Sequence, residues 1–209
     1  TNGPATGVEV MGTNAYVADN SSGLAIIDIS DPTNPGTPSY VATNGSAFGV
    51  TVDGNNAYLA TRDSGLAIIN ISDPKNPGTP VYMDTAGSAY GVTVRGNYAY
   101  VSDSINGLAI IDITDPSSPG SPIYADTLFA YGAVISGTNA YVADYTLGLA
   151  IIPLNTGSIK DFALNDANLT LFSIGTTGSL AINKDLVLDT SIPTVTNVTS
   201  SKANGNYKQ

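Results

Sequence analysis

The sequence predicts an all-β protein, a propeller-like array of four-stranded blades, and three observations lead there. Two glycine columns keep one register: Gly7, Gly49, Gly91 and Gly132 follow at spacings of 42, 42 and 41, as do Gly23, Gly65, Gly107 and Gly148. The segment Gly-Leu-Ala-Ile-Ile occurs four times, once from each glycine of the second column. Its apolar run, Leu66 to Ile69 with Ile71 beyond Asn70, does not alternate as a strand with one wet face would, so both faces must be covered. A blade packed between two neighbours covers both, and its usual length of about 40–45 residues matches the period.

Each unit reads as four short strands. The first is Gly49-Val50-Thr51-Val52 and its equivalents, closed by a two-residue hairpin turn in which Gly54 supplies the positive φ and Asn55 follows. The second is Ala57-Tyr58-Leu59-Ala60, repeated at Ala15, Ala99 and Ala140. The third is the Leu-Ala-Ile-Ile segment, and the fourth is the short stretch around Tyr40, Tyr82 and Tyr124. Between the third and fourth lies Asp-Pro-x-x-Pro-Gly, as at Asp31-Pro32, Asp73-Pro74 and Asp115-Pro116. Proline presets φ at the second turn position while Asp accepts from the turn's own backbone, so the motif ends one strand and starts the next. In the fourth copy Pro153 stands where the Asp would end strand three, and the regular array is expected to stop near Asn155.

Composition bounds the class. The chain is 42% hydrophobic and 11% charged, too apolar for disorder, and its 22 Gly and 12 Pro break up helices. The net charge is −10, and Glu9 is the one Glu among seventeen acids, so the acids are turn-forming Asp. With no basic stripe to displace counterions from a phosphate backbone, nucleic-acid binding is not expected. The chain has no Cys and no His, which removes disulfides, thiolate nucleophiles and His-based acid–base chemistry. No apolar run reaches the roughly 18 residues of a spanning helix, so direct membrane insertion is not expected. Thr1 in place of an initiator Met suggests a piece processed from something longer.

The run from Gly23 to Pro35, preceded by Ala15-Tyr16-Val17-Ala18-Asp19, resembles the LVIVD repeat, and four in-register copies carry the likeness over about residues 5–156. The family comprises β-propellers of bacterial and archaeal surface proteins, extracellular or envelope-associated, mostly without an assigned reaction. The resemblance implies an extracellular or cell-surface location and leaves the activity open. Residues 1–156 are accordingly assigned to four blades, 157–191 to a divergent β segment that is either a fifth blade or a cap, and 192–209 to a linker or terminal strand. The tail from Ile192 to Ser201, with Ala203-Asn204-Gly205, is similar to the first strand and turn of bacterial immunoglobulin-like surface domains.

Strand parity places the candidate site. The two-to-three loops and the blade-to-blade crossings share one end of the array, and that end varies among copies, whereas the Asp-Pro end hardly does. Binding residues collect on loops carried by a rigid scaffold, so Arg62, Asp63, Asn106, Phe129 and Tyr145 are the candidate ligand-binding residues. Asp19, Asp103 and Asp144 recur after strand two, with Thr61 in the second copy; they are either Ca²⁺ ligands or acceptors for their own turns. No other cofactor is expected, and no catalytic residue is assigned, because repeated carboxylates lack the unlike environments that separate an acid from a base. Tyr16, Tyr58, Tyr100 and Tyr141 share one column and read as blade packing. Sequons at Asn20, Asn44, Asn70, Asn168 and Asn197 agree with a surface location, although Asn70 falls in a strand expected to be buried.

The reading that follows is a non-catalytic structural or adhesive module of a prokaryotic surface protein, partnered by copies of itself or by other surface proteins. Its basis is that an array of four or five blades either closes or leaves sheet edges open to other chains. The alternatives are a carbohydrate- or polymer-binding propeller, with glycans as partners, and a propeller-fold hydrolase.

Overall fold

The computed structural model describes residues 1–154 and two short strands further on, Leu188–Asp189 and Thr194–Val195. The first blade is β1 (Gly7–Met11), β2 (Asn14–Ala18), β3 (Leu24–Asp28) and β4 (Ser39–Val41), an antiparallel sheet in chain order. The second is β5 (Gly49–Asp53), β6 (Asn56–Ala60), β7 (Leu66–Asn70) and β8 (Val81–Met83). The third is β9 (Gly91–Arg95), β10 (Tyr98–Ser102), β11 (Leu108–Asp112) and β12 (Ile123–Ala125). The fourth has three strands among the described residues: β13 (Ala130–Ser136), β14 (Asn139–Asp144) and β15 (Gly148–Pro153).

Four blades, three of them four-stranded, stand where the repeat predicts them. The pairing Asp53↔Asn56 leaves Gly54 and Asn55 as the two-residue loop, and Gly54 carries φ +56°. Asp31, Asp73 and Asp115 accept from the backbone N–H two residues on, at 3.0 Å each, as the Asp-Pro turn requires. One expectation is corrected. Asn70 ends β7 on an exposed position, because its Oδ1 turns outward to accept from Ser72 N and Oγ. The assignments of 157–191 and 192–209 fall outside the described residues, except that Leu188–Asp189 (β16) pairs antiparallel with Thr194–Val195 (β17).

The core lies between blades rather than within them. Every blade has a trailing face, on the side of the next blade in the chain, and a leading face, on the side of the previous one, and three junctions join them. In the first junction the trailing residues Tyr16, Leu24 and Ile26 pack against the leading residues Val50, Leu59 and Ile69. Tyr58, Leu66 and Ile68 do the same against Val92, Val101 and Ile111, and Tyr100 and Leu108 against Ala140 and Val142. A fully buried Leu or Ile stabilises by about 1.5–3 kcal/mol, so each junction outweighs any single turn. First strands lie side by side around the array, and threonines tie them: Thr51 Oγ1 donates to Val92 O at 2.9 Å and Thr93 Oγ1 to Ala133 O at 2.7 Å.

Gly65 shows why its column is glycine. It has φ +69°, and a Cβ there would lie 2.4 Å from Met83 O and 2.6 Å from Thr85 N, the chain leaving β8. Gly148 has φ +85° with no described atom within 4 Å of that position. Placing a side chain in the left-handed region costs about 1–2 kcal/mol, and that alone is expected of Gly148→Ala. Gly65→Ala is expected to lose more, because backbone must move as well; urea unfolding of both variants measures the difference.

Candidate functional site

The two-to-three loops and the crossings do meet at one end. Asn20, Arg62 and Ser104 take positive φ and bridge to Ala47, Ala89 and Ala130 of the next blade. In each bridge the N–H of either residue donates to the C=O of the other, at 2.9–3.2 Å. The three alanines are wholly buried between loop and strand.

Beneath this layer sit the repeated acids, all buried. Asp19 Oδ2 accepts from Asn2 N and Gly3 N at 2.8 and 2.9 Å. Asp103 Oδ2 accepts from Gly87 N at 2.8 Å and its Oδ1 from Thr85 Oγ1 at 2.7 Å. Asp144 Oδ2 accepts from Phe129 N, and its Oδ1 from Thr146 N, Thr146 Oγ1 and Leu147 N. Each carboxylate thus fastens the crossing of its own blade to its own two-to-three loop. Among the described residues no group of three or more acidic side chains converges, so the structure does not bring the three Ca²⁺ candidates together.

The blades treat this acid differently. Burial is the strongest influence on Asp103 and pushes its carboxyl up, with the Asp84 charge adding and the bonds from Thr85 and Gly87 opposing. Burial also works against the charge on Asp144, but the bonds from Phe129, Thr146 and Leu147 together outweigh it and hold its carboxyl well below the usual range. Thr61 replaces the acid in the second blade and donates Oγ1 to Gly65 O at 2.9 Å, closing its loop without a charge.

The fourth crossing is one residue shorter than the others, and this shapes the exposed surface. In the first three blades a glycine at 3, 45 or 87 presses so closely on the two-to-three loop of its own blade that a Cβ would fall 2.0–2.5 Å from the carbonyl oxygen of Asp19, Thr61 or Asp103. The fourth crossing has Phe129 where Gly87 would align. Its backbone N–H still reaches Asp144, its ring projects, and β13 is irregular between Ala130 and Gly132. Phe129 lies 5.9 Å from Tyr145 and 5.7 Å from Tyr131, and Tyr131 lies 5.8 Å from Tyr145. Tyr131 also stacks on Tyr90 at 4.7 Å, and Tyr90 meets Phe48 edge-on at 5.3 Å. A row of five rings therefore crosses the variable end, with Tyr145 77% exposed at its tip.

The structure thus joins two of the five candidate site residues, Phe129 and Tyr145, in one cluster. Arg62 and Asp63 pair with each other at 3.9 Å on an exposed loop, a geometry of little energetic consequence. Asn106 rests against the Gly87 crossing, its Oδ1 2.7 Å from where a Cβ would lie. Phe48, Tyr90 and Tyr131 are absent from the sequence-based candidates. They occupy the position directly before the first-strand glycine, with Thr6 in the first blade, and an aromatic column at the repeat period was the available signal.

A second surface arises on the first and last of the described blades. Leu24, Leu66 and Leu108 are 0% exposed, whereas Leu149 at the same position of the fourth blade is 65% exposed, and Ile151 is exposed beside it. At the other end Val8 is 65% exposed against 8% for Val50 and Val92, and Val10 is exposed with it, while Val17 deeper in that face stays buried. Among the described residues, no further blade is joined to the trailing face of the fourth blade or to the leading face of the first.

Four repeated antiparallel blades, joined face to face and bridged loop to strand, define a β-propeller repeat protein. The structure resembles a computationally designed protein called Ika4, with a TM-score of 0.61 at 8% identity over 74% of this chain and 94% of that one. It also resembles the designed Ika8 protein, with a TM-score of 0.58 at 8% identity over 71% of this chain and 45% of that one. The WD40 β-propeller domain of Doa1 gives 0.57 at 11% identity, over 74% of this chain and 52% of that one. Among curated proteins none matches the chain in sequence. The LVIVD repeat model matches residues 2–43, 44–85, 86–125 and 130–153, and the chain belongs to the LVIVD-repeat family.

The depressed carboxyl of Asp144 has a definite pH signature. Stabilisation by an acid whose folded pKa lies below its unfolded value is present above the ordinary carboxylate range, and it is lost as pH falls through the folded pKa. Asp144→Asn is therefore expected to destabilise at neutral pH, with the gap to the parent narrowing below about pH 4. Denaturant midpoints measured from pH 7 downward test this, and a gap that stays constant contradicts it.

Proposed function

We propose that this array is a non-catalytic structural and adhesive module of a prokaryotic surface protein, working outside the cell and associating with copies of itself. The observation that carries the reading is the unequal burial of equivalent residues, with Leu149 and Val8 exposed where their counterparts inside the array are buried. Apolar faces of this kind on a soluble protein mark interaction surfaces. The non-catalytic part rests on how the repeat uses its polar groups. The Asp of each turn and each latch is engaged with nearby backbone N–H groups, as expected of parts that hold a scaffold.

The net charge of −10 sets copies against one another, and salt screens that repulsion while strengthening apolar burial. Association is therefore expected to rise with protein concentration and with added salt, read by light scattering or sedimentation. A monodisperse monomer across that range overturns the self-association part.

The ring cluster favours a second reading, a carbohydrate- or polymer-binding surface at the variable end. Tyr145, Tyr131 and Phe129 offer apolar faces beside hydroxyls, the combination suited to pyranose rings. Glycan-array binding that Tyr145→Ala abolishes while thermal stability is unchanged supports this reading. An array without hits, both with and without added Ca²⁺, removes it.

A further inference from the structure

We infer that the trailing face of the fourth blade, to which no further described blade is joined, is occupied by the leading face of the first blade of a second copy, so that chains join head to tail. The inference rests on the self-association reading above and supplies its geometry. The partner is specified by three junctions already present in the chain. Each joins the same columns: a trailing Tyr and Leu on one blade, and on the next a leading face carrying a wholly buried Ala that receives the preceding loop. The fourth blade carries the trailing set at Tyr141, Leu149 and Ile151, and the first blade carries the leading set at Ala5, Val8 and Val10.

Ala5 is the telling residue. Ala47, Ala89 and Ala130 occupy its column, each 0% exposed and bridged through both backbone groups to the loop of the preceding blade. Ala5 keeps the small side chain of this column, yet it is exposed. On the trailing side Tyr145 stands in the column of Asn20, Arg62 and Ser104, but it does not share their positive φ, and its N–H donates to Phe129 O of its own blade at 2.9 Å. What the two ends share with the inner junctions is therefore the apolar columns, with Leu149 and Ile151 exposed on one and Val8 and Val10 on the other. Pairing two like ends would set Leu149 against Leu149 with no leading face between them, whereas unlike ends reproduce a junction formed three times already. A contact of this heterologous kind propagates, closing into a ring if the rotation between copies completes a turn and otherwise extending as a filament.

The absence of native Cys makes the test direct. Full-length Val8→Cys and Leu149→Cys variants, both at exposed sites, are checked for native circular dichroism and treated with a short thiol-to-thiol crosslinker, separately and mixed. The mixture is expected to give covalent dimers while each variant alone stays monomeric on a denaturing gel. Scattering-detected association without the mixed product, or with dimers from either variant alone, overturns the head-to-tail geometry and leaves self-association standing. No association at all overturns both. In the double variant, a crosslink formed within one chain overturns the second copy in favour of closure of the array on itself.

Discussion

Everything in this molecule depends on a strand that must be dry on both faces. Leu66, Ala67, Ile68 and Ile69 are all buried, and no single sheet can bury them, because alternate residues point to opposite faces. Each blade therefore needs two neighbours, and the fold is a chain of junctions rather than a set of independent sheets. Stability of this kind is close to a sum of nearest-neighbour contacts, with the terminal units under different rules from the inner ones. The first and fourth blades are the outermost of the described blades, and their exposed valines, leucine and isoleucine follow from position among them, since the residue types hardly change along each column.

The second constraint is the tight passage between crossing and loop. Three blades solve it with a glycine pressed on a carbonyl oxygen, followed two residues on by an alanine that is buried in the second and third blades. Where an acid lies below, in the first and third blades, it accepts main-chain N–H groups that the passage has brought within reach, with the Thr85 hydroxyl added in the third. Shortening the fourth crossing by one residue removes the glycine but keeps the N–H bond to Asp144, so the cost of the deletion falls on the side chain. Phe129 is turned toward Tyr131 and Tyr145, and a passage elsewhere filled by backbone becomes an aromatic surface. The rings follow from backbone geometry first, and their availability to a ligand is a consequence.

The architecture was legible because its determinants are periodic. The Gly23 column, the Gly7 column, the Leu-Ala-Ile-Ile strand and the Asp-Pro turn each report a local necessity, respectively a positive φ, close approach of neighbouring first strands in the first three blades, two-sided burial and a turn that caps itself, and three or four copies make each unmistakable. What escaped was of two kinds. Asn70 was assigned to a buried strand because its neighbours are apolar, but the end of a strand is also where the turn begins, and the turn claimed its side chain. Phe48, Tyr90 and Tyr131 escaped because a crossing reads as drifting loop when taken copy by copy. Their meaning lies in lateral stacking between blades, a relation that sequence separation hides. Within the Asp19, Asp103 and Asp144 column, the sequence left two roles open, and the structure engages each acid with backbone of its own blade.

Repetition also limits where specificity can reside. Positions that recur unchanged answer to packing and turn geometry, and a ligand meeting them would find the same arrangement several times over. Differences arise at two places: the variable end, where the crossing lengths and aromatic residues diverge, and the two outer faces, where identical residues meet different surroundings. The outer faces need no special sequence to be specific, because a surface that pairs with one kind of neighbour inside the chain is complementary to that same kind outside it. Assembly would then be a continuation of folding, using a junction already selected for fit, and the −10 charge spread over the loops restrains how readily that continuation begins.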